Sequence, residues 1–284
     1  MVNPTYAINL RLTETGSSWQ HGAMHTVEPI HAFSDNYVWL ISAAGSDAAV
    51  VVDPGEAEPV LSALDEHGLS VAAVLLTHHH QDHVGGVDAI LRKYPAPVYG
   101  PATEDISSVD HPVAGGGGVS VPELDLDLEV ADVPGHTAGH VAYLGPSYAF
   151  VGDTLFAGGC GRVFEGTPEQ MYNSLQTLGA LPPATTIFCA HEYTATNLRF
   201  AFEVEPGNDA LVQRMEDVRE ARSQGRPTVP STLVDELATN PFMRCGVPEV
   251  KAAAERRVGR RLDRESDVFA VVRRWKDGWT SDGL

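Results

Sequence analysis

The sequence predicts a β-rich α/β body followed by a helical C-terminal portion. Three observations lead there. The composition, 43% hydrophobic and 20% charged in 284 residues, is that of a folded chain with one large domain, or one domain and an appendage. Up to about His191 the chain alternates short apolar runs with Gly- and Pro-marked turns, the pattern of buried strands. Beyond His191 the strand signals fade and apolar residues recur at helical spacing.

Taken in order, strands are expected at Tyr37–Ser42, Ala48–Val52, Val71–Leu76, Pro97–Tyr99, Leu126–Val130, Val141–Leu144, Tyr148–Val151 and Thr186–Cys189. Helices are expected at Glu58–His67, stopped by Gly68, and at His83–Tyr94, stopped by Pro95. Pro168–Leu178 suits a helix because Pro168 fits a first turn and Met171, Leu175 and Leu178 share one face. The four consecutive glycines within Ala114–Val119 predict a flexible surface loop. Three later helices are expected at Asn208–Gln224, Val247–Gly259 and Glu265–Lys276, the last with a Val268, Val271, Val272, Trp275 stripe suited to core packing. Residues 1–23 hold one basic residue, Arg11, and no apolar run, so they read as an N-terminal extension rather than a targeting signal. The division expected is therefore a 1–23 extension, a 24–191 β-rich body and a 192–284 helical portion.

Charge and cysteine usage restrict the partners. Nineteen basic against 38 acidic residues give a net charge of −19, which opposes nucleic acid and anionic membrane. No apolar run approaches the ~18 residues a membrane helix needs. Residues 244–284 carry 10 basic and 7 acidic residues, so this tail is net positive on an acidic body. It reads either as a solvated helical face or as a receiver for a small anion. Cys160, Cys189 and Cys245 are odd in number and far apart, which fits a reducing, cytoplasmic setting. A monomer is expected.

The chemistry concentrates in Thr77-His78-His79-His80-Gln81-Asp82-His83-Val84-Gly85-Gly86, directly after an apolar strand. In an extended loop, residues two apart project to one side, so His78 and His80 can grip one cation while His79 points away. Asp82 and His83 fall at the start of a helix and could face a second cation. Imidazole and carboxylate suit zinc, iron or manganese. Three further ligand-type residues sit at turns or strand ends among small residues: His136 in Pro134-Gly135-His136-Thr137, Asp153 in Gly152-Asp153-Thr154, and His191 in Ala190-His191-Glu192.

With the first cluster, these residues resemble the ligand set of the metallo-β-lactamase superfamily, in the same order. The resemblance implies an αβ/βα sandwich with two divalent cations at one edge of its sheets, zinc first, iron or manganese otherwise. It implies that His78, His80 and His136 hold one ion, that Asp82, His83 and His191 hold the other, and that Asp153 bridges them. A closer similarity, from about His25 to Lys276, is to the hydroxyacylglutathione hydrolases (glyoxalase II). It is carried by residues 31–37 (HAFSDNY), 152–156 (GDTLF), 159–162 (GCGR), 191–194 (HEYT), 228–233 (TVPSTL) and 240–244 (NPFMR).

That resemblance implies hydrolysis of S-D-lactoylglutathione to D-lactate and glutathione, with Asp82 and Asp153 as catalytic carboxylates. By position, Arg162 would pair with a glutathione carboxylate, Tyr193 would hydrogen-bond the tripeptide, and Arg244 would add a second cationic contact. Two departures from the family pattern stand out. Phe164 occupies a position where relatives often carry tyrosine. Cys245-Gly246-Val247 lacks a basic residue often found after the arginine, for which Lys251, Arg273, Arg274 or Lys276 could substitute. His140 is either an orienting partner or a buried structural histidine. Other expectations compatible with the same ligands are a hydrolase of another thiol carrier, a one-iron persulfide dioxygenase, and a metal-dependent sensor.

Overall fold

The computed structural model describes residues 6–8 and 24–280. They divide into two compact units, Met1–Asp132 with Val141–Gly152, and Val133–His140 with Asp153–Leu284.

The first unit is built on a seven-stranded sheet whose strands lie in chain order: β1 (Tyr6–Ile8), β2 (His25–Ala32), β3 (Asn36–Ala43), β4 (Ala48–Val52), β5 (Ser70–Leu75), β6 (Val98–Pro101) and β7 (His111–Val113). Pairing is antiparallel from β1 to β4 and parallel from β4 to β7. The switch follows from the connections. Short turns join β2 to β3 and β3 to β4, whereas β4 and β5 are linked by α1 (Ala57–His67), and α2 (Gln81–Val84) and α3 (Val87–Lys93) lie between β5 and β6. Parallel strands are buried on both faces, hence the unbroken apolar runs of β4 and β5. One face packs Val38, Leu40, Val51 and Val74 against Val60 and Leu64 of α1 and Val87 and Ile90 of α3. A second group of antiparallel strands follows: β8 (Gly118–Val121), β9 (Leu126–Asp132), β10 (Val141–Leu144) and β11 (Tyr148–Gly152). The Tyr143 hydroxyl of β10 donates to the Leu76 carbonyl at 2.8 Å, tying this group to the strand that feeds the histidine loop.

The second unit contains the two-residue strands β12 (Leu155–Phe156) and β13 (Gly159–Cys160), α4 (Pro168–Gly179), and β14 (Thr186–Cys189). α5 (Thr194–Val204), α6 (Asp209–Ser223), β15 (Ser231–Thr232), α7 (Leu233–Thr239), α8 (Pro248–Val258) and α9 (Glu265–Asp277) complete it. Local chemistry sets the helix ends. Thr167 and Gln170 form a reciprocal capping box at α4, with Pro168 in its first turn. Asn208 and Thr232 cap α6 and α7. Gly68 and Gly259 terminate α1 and α8 in the left-handed conformation. In the helical core Phe200 stacks on Phe242, which meets Phe269 edge-on.

Several expectations change. The helix expected over His83–Tyr94 is two helices, because the Gly86 N–H leaves the helical ladder to donate to the Pro54 carbonyl at 2.8 Å. The glycine run does not remain loop throughout: Gly118 opens β8 and Val119 is only 2% exposed. Strands β1, β2, β7, β8, β12, β13 and β15 and helices α5 and α7 were not anticipated. β1 falls inside the stretch read as an extension; the remainder of residues 1–23 lies outside the described residues.

Candidate metal centre

In the first unit, β5 ends at buried Leu75; Leu76 and Thr77 follow it and are also buried, and the chain then turns out at the C-terminal end of a parallel strand. His78 Nε2 and His80 Nδ1 lie 3.0 Å apart, as expected for residues two apart in an extended loop. The rings of His78 and His83 have centroids 4.0 Å apart, and Asp82 Oδ2 lies 3.7 Å from His83 Nε2. Ligand atoms of the pairs His78–His80, His78–His83 and Asp82–His83 are each within 4.8 Å. His79 turns away: its backbone N–H and Nδ1 meet Glu104 Oε2 at 2.6 and 2.8 Å.

Asp53, which the sequence reading missed, organises this cluster. It is buried, and it accepts the Thr77 N–H and hydroxyl, each at 2.8 Å. Because the Thr77 hydroxyl donates to Asp53, it must accept at 3.1 Å from Nδ1–H of His78. Asp53 Oδ2 also lies 3.0 Å from His83 Nδ1, within ion-pair distance. The His78 imidazole is left with Nε2 as the lone-pair nitrogen, the tautomer a cation requires. Asp53 was hard to find because a lone aspartate in Val52-Asp53-Pro54-Gly55 reads as a turn; its φ of +54° was the unreadable part. Asn36 Nδ2 donates to Asp82 Oδ2 at 3.0 Å and fixes that carboxylate.

The second unit holds the other set. His136 occupies the turn that Val133 N–H closes on the His140 carbonyl at 2.8 Å. Its Nδ1–H donates to the Arg162 carbonyl at 2.8 Å, again leaving Nε2 as acceptor. His136 Nε2 and His191 Nε2 each lie 3.4 Å from an oxygen of Asp153, on opposite oxygens of the carboxylate. Asp153 is held from behind, its N–H donating to His140 Nε2 at 3.1 Å, so His140 orients the backbone of this residue. Gly161 is required beside it: a Cβ there would fall 1.9 Å from the Asp153 carbonyl oxygen. Each set thus offers imidazole nitrogens in the lone-pair form beside carboxylates, a donor chemistry that fits borderline divalent cations.

The expected carrier contacts fall in the second unit as well. Tyr193 stacks on His191, ring centroids 4.7 Å apart and planes nearly parallel, with Phe156 edge-on to both. Arg162 is exposed, with Nε 3.5 Å from Asp277. Arg244 is engaged internally: Nε and Nη2 donate to Glu205 at 2.9 and 2.7 Å, and Nη1 to the Leu237 carbonyl at 3.0 Å. Among the candidates to replace the missing basic residue, Arg273 is buried and donates to the Cys160 carbonyl at 2.9 Å. Lys276 lies against the Phe200 and Trp279 rings, and burial lowers its pKa to about 8. Phe164 is exposed and meets His136 edge-on at 5.3 Å. The three cysteines are buried with thiol pKa values raised by desolvation, so none is a ready nucleophile.

Comparison with known proteins places this geometry. The family model described as metallo-beta-lactamase superfamily matches residues 32–191. The structure of BLEG-1 B3 metallo-beta-lactamase superposes with a TM-score of 0.58 at 22% identity, over 78% of this chain and 99% of that one. The class is thus a metallo-β-lactamase fold with a helical C-terminal region. A second family model, hydroxyacylglutathione hydrolase C-terminus, matches residues 192–279. The chain is 55% identical to the hydroxyacylglutathione hydrolase of Alkalilimnicola ehrlichii and 53% to that of Halorhodospira halophila, each over 89% of this chain and 99% of the relative. The chain belongs to the hydroxyacylglutathione hydrolase family.

Proposed function

We propose that this chain is a metal-dependent thioester hydrolase that converts S-D-lactoylglutathione to D-lactate and glutathione. The observation that carries the reading is near-full-length identity to hydroxyacylglutathione hydrolases in a chain that keeps all seven ligand-type residues. In this reading His78, His80 and His136 hold one cation, Asp82, His83 and His191 hold a second, and Asp153 serves both. The lone-pair tautomers of His78 and His136, fixed by Thr77 and the Arg162 carbonyl, support it, as does the buried Asp53 carboxylate 3.0 Å from His83 Nδ1. Zinc is the proposed occupant, with iron and manganese chemically compatible.

When bound, two divalent cations would supply a field that makes hydroxide available near neutral pH and stabilises negative charge developing on the thioester oxygen. The protein groups do the rest. Asp82 and Asp153 are the proton-accepting carboxylates for the attacking water, each restrained by a donor, Asn36 and the His140-anchored backbone respectively. Arg162, Tyr193 and Arg244 are the proposed carrier contacts, and Arg244 would have to share its guanidinium with Glu205. The C–S bond then breaks with the thiolate as leaving group. A thiol pKa near ~8.5 makes a dedicated acid less necessary than for an amide. The chain's roles divide as 24–191 for chemistry and 192–284, with the loop that carries Arg162, for the carrier; residues 1–23 are assigned to neither.

The proposed working state is a cytoplasmic monomer that binds a small thioester and neither nucleic acid nor membrane. The net charge of −19 opposes nucleic acid and anionic membrane as partners. Among the described residues, no helix is long and apolar enough to cross a membrane. The test pairs thioester hydrolysis with metal content on one zinc-loaded preparation. Rapid hydrolysis with about two metals per chain is expected. Two metals without turnover of S-D-lactoylglutathione would overturn the substrate assignment while leaving the ligand assignment standing.

A further inference from the structure

Phe33 sits in the turn between β2 and β3 with 55% of its surface exposed and a φ of +51°. Both facts run against its chemistry. A bulky aromatic residue is an outlier in the left-handed region, where Gly or Asn is at ease. An aromatic ring more than half exposed gains little from packing. The turn is nonetheless held: the Phe33 N–H donates to Glu56 Oε2 at 2.5 Å, and three residues on, Asn36 grips the Asp82 carboxylate. Gly55 shows how near the ring lies to that ligand-bearing turn. A Cβ on Gly55 would fall 1.9 Å from the Asp82 carbonyl oxygen and 2.8 Å from Phe33 Cε2, so ring and turn flank the same notch. Of the two exposed large apolar residues among the described residues of this unit, Met24 and Phe33, only Phe33 is brought beside a ligand-type residue in this way.

We propose that Phe33 is a specificity-determining residue whose exposed ring receives the apolar substituent of the acyl group, favouring 2-hydroxyacyl thioesters that carry an aryl group. The inference rests on the thioester-hydrolase reading above. An aryl substituent can pack on the ring, edge-on or offset, whereas the methyl of a lactoyl group covers little of it. Ring-on-ring contact corresponds to about a tenfold difference in transition-state binding.

The experiment compares kcat/KM for S-D-mandeloylglutathione and S-D-lactoylglutathione in the zinc-loaded parent, in Phe33→Gly and in Phe33→Asn. Both replacements suit a positive φ, so the turn is preserved, and metal content is measured on each protein. The expected result is that the mandeloyl value falls about tenfold more than the lactoyl value in both variants, with metal retained. An unchanged ratio, or one moving toward mandeloyl, overturns the proposal while hydrolysis by the parent still upholds the hydrolase reading. Loss of metal from both variants would make Phe33 a brace for the Asp82 turn and overturns it as well. A parent that hydrolyses neither thioester removes both readings together.

Discussion

Arg244 shows how a residue chosen for one role can be carrying another. Its guanidinium makes a two-point pair with Glu205, a carboxylate that is itself buried, and caps the Leu237 carbonyl. Removing one member of such a pair leaves a buried charge uncompensated, at a cost of about 3 kcal/mol or more. Arg244→Ala is therefore expected to lower the melting temperature by roughly 6–12 °C, and, if it also contacts the tripeptide, to raise KM with metal retained. Thermal unfolding and steady-state kinetics of Arg244→Ala and of the double variant Arg244→Ala/Glu205→Gln separate the two roles. The double variant should regain stability, because a neutral amide is cheaper to bury than a carboxylate. A KM that recovers alongside it would remove Arg244 from the carrier site. At this scale the sequence was informative about residue type and silent about partners. His78, His80, Asp82 and His83 were legible because they crowd six positions after an apolar strand. Asp53, Asn36 and Glu205 were not, since each acts through a contact 20 to 50 residues away in the chain.

Glu236 makes the corresponding point for elements. It lies on α7, is fully buried, and accepts from the Gly158 N–H at 2.8 Å, Asn240 Nδ2 at 2.9 Å and Arg214 Nη2 at 2.6 Å. Asn240 in turn donates to the Phe156 and Gly159 carbonyls, so the β12–β13 hairpin is clamped by a helix distant in sequence. That hairpin carries Phe156 against His191 and leads into Gly161 beside Asp153. Glu236→Gln keeps the shape but removes the charge that Arg214 pairs with. A loss of about 2 kcal/mol is expected, hydrogen bonds to charged groups being worth roughly that much. The same variant should release zinc at a lower chelator concentration than the parent. Unchanged stability with unchanged zinc retention would show that the clamp is dispensable. Such an element was invisible beforehand: two-residue strands carry no periodicity, and α7 is too short for an apolar stripe. The long regular elements were readable. β4, β10 and β14 have the expected bounds, and α1, α4, α6, α8 and α9 agree to within a residue or so at each end. β2 escaped because His25, Glu28, Pro29 and His31 interrupt its apolar pattern, although its pairing with β3 buries most of the strand.

For the whole molecule the governing quantity is charge. A net −19 at pH 7 means that the folded chain concentrates negative groups that the unfolded chain spreads apart. Two effects of salt then compete. Exposed ion pairs such as Lys93–Asp65 and Arg264–Asp267 weaken as salt rises, but each contributes little because both partners remain solvated. Self-repulsion acts among all the unbalanced carboxylates, and it too is screened as the Debye length shortens from about 30 Å at 0.01 M to about 3 Å at 1 M. The basic residues of 244–284 cannot offset it, because that segment is itself nearly balanced. Relief of repulsion should therefore outweigh the lost pairs, and stability should rise with salt. The measurement is thermal unfolding of the zinc-loaded protein in NaCl from about 0.01 to 1 M. A gain of about 2 kcal/mol would appear as a rise of roughly 4–8 °C in the midpoint. A flat or falling midpoint would mean that the specific ion pairs, rather than the net charge, set the balance. In that case Lys93→Gln and Arg264→Gln should each cost more at low salt than at high.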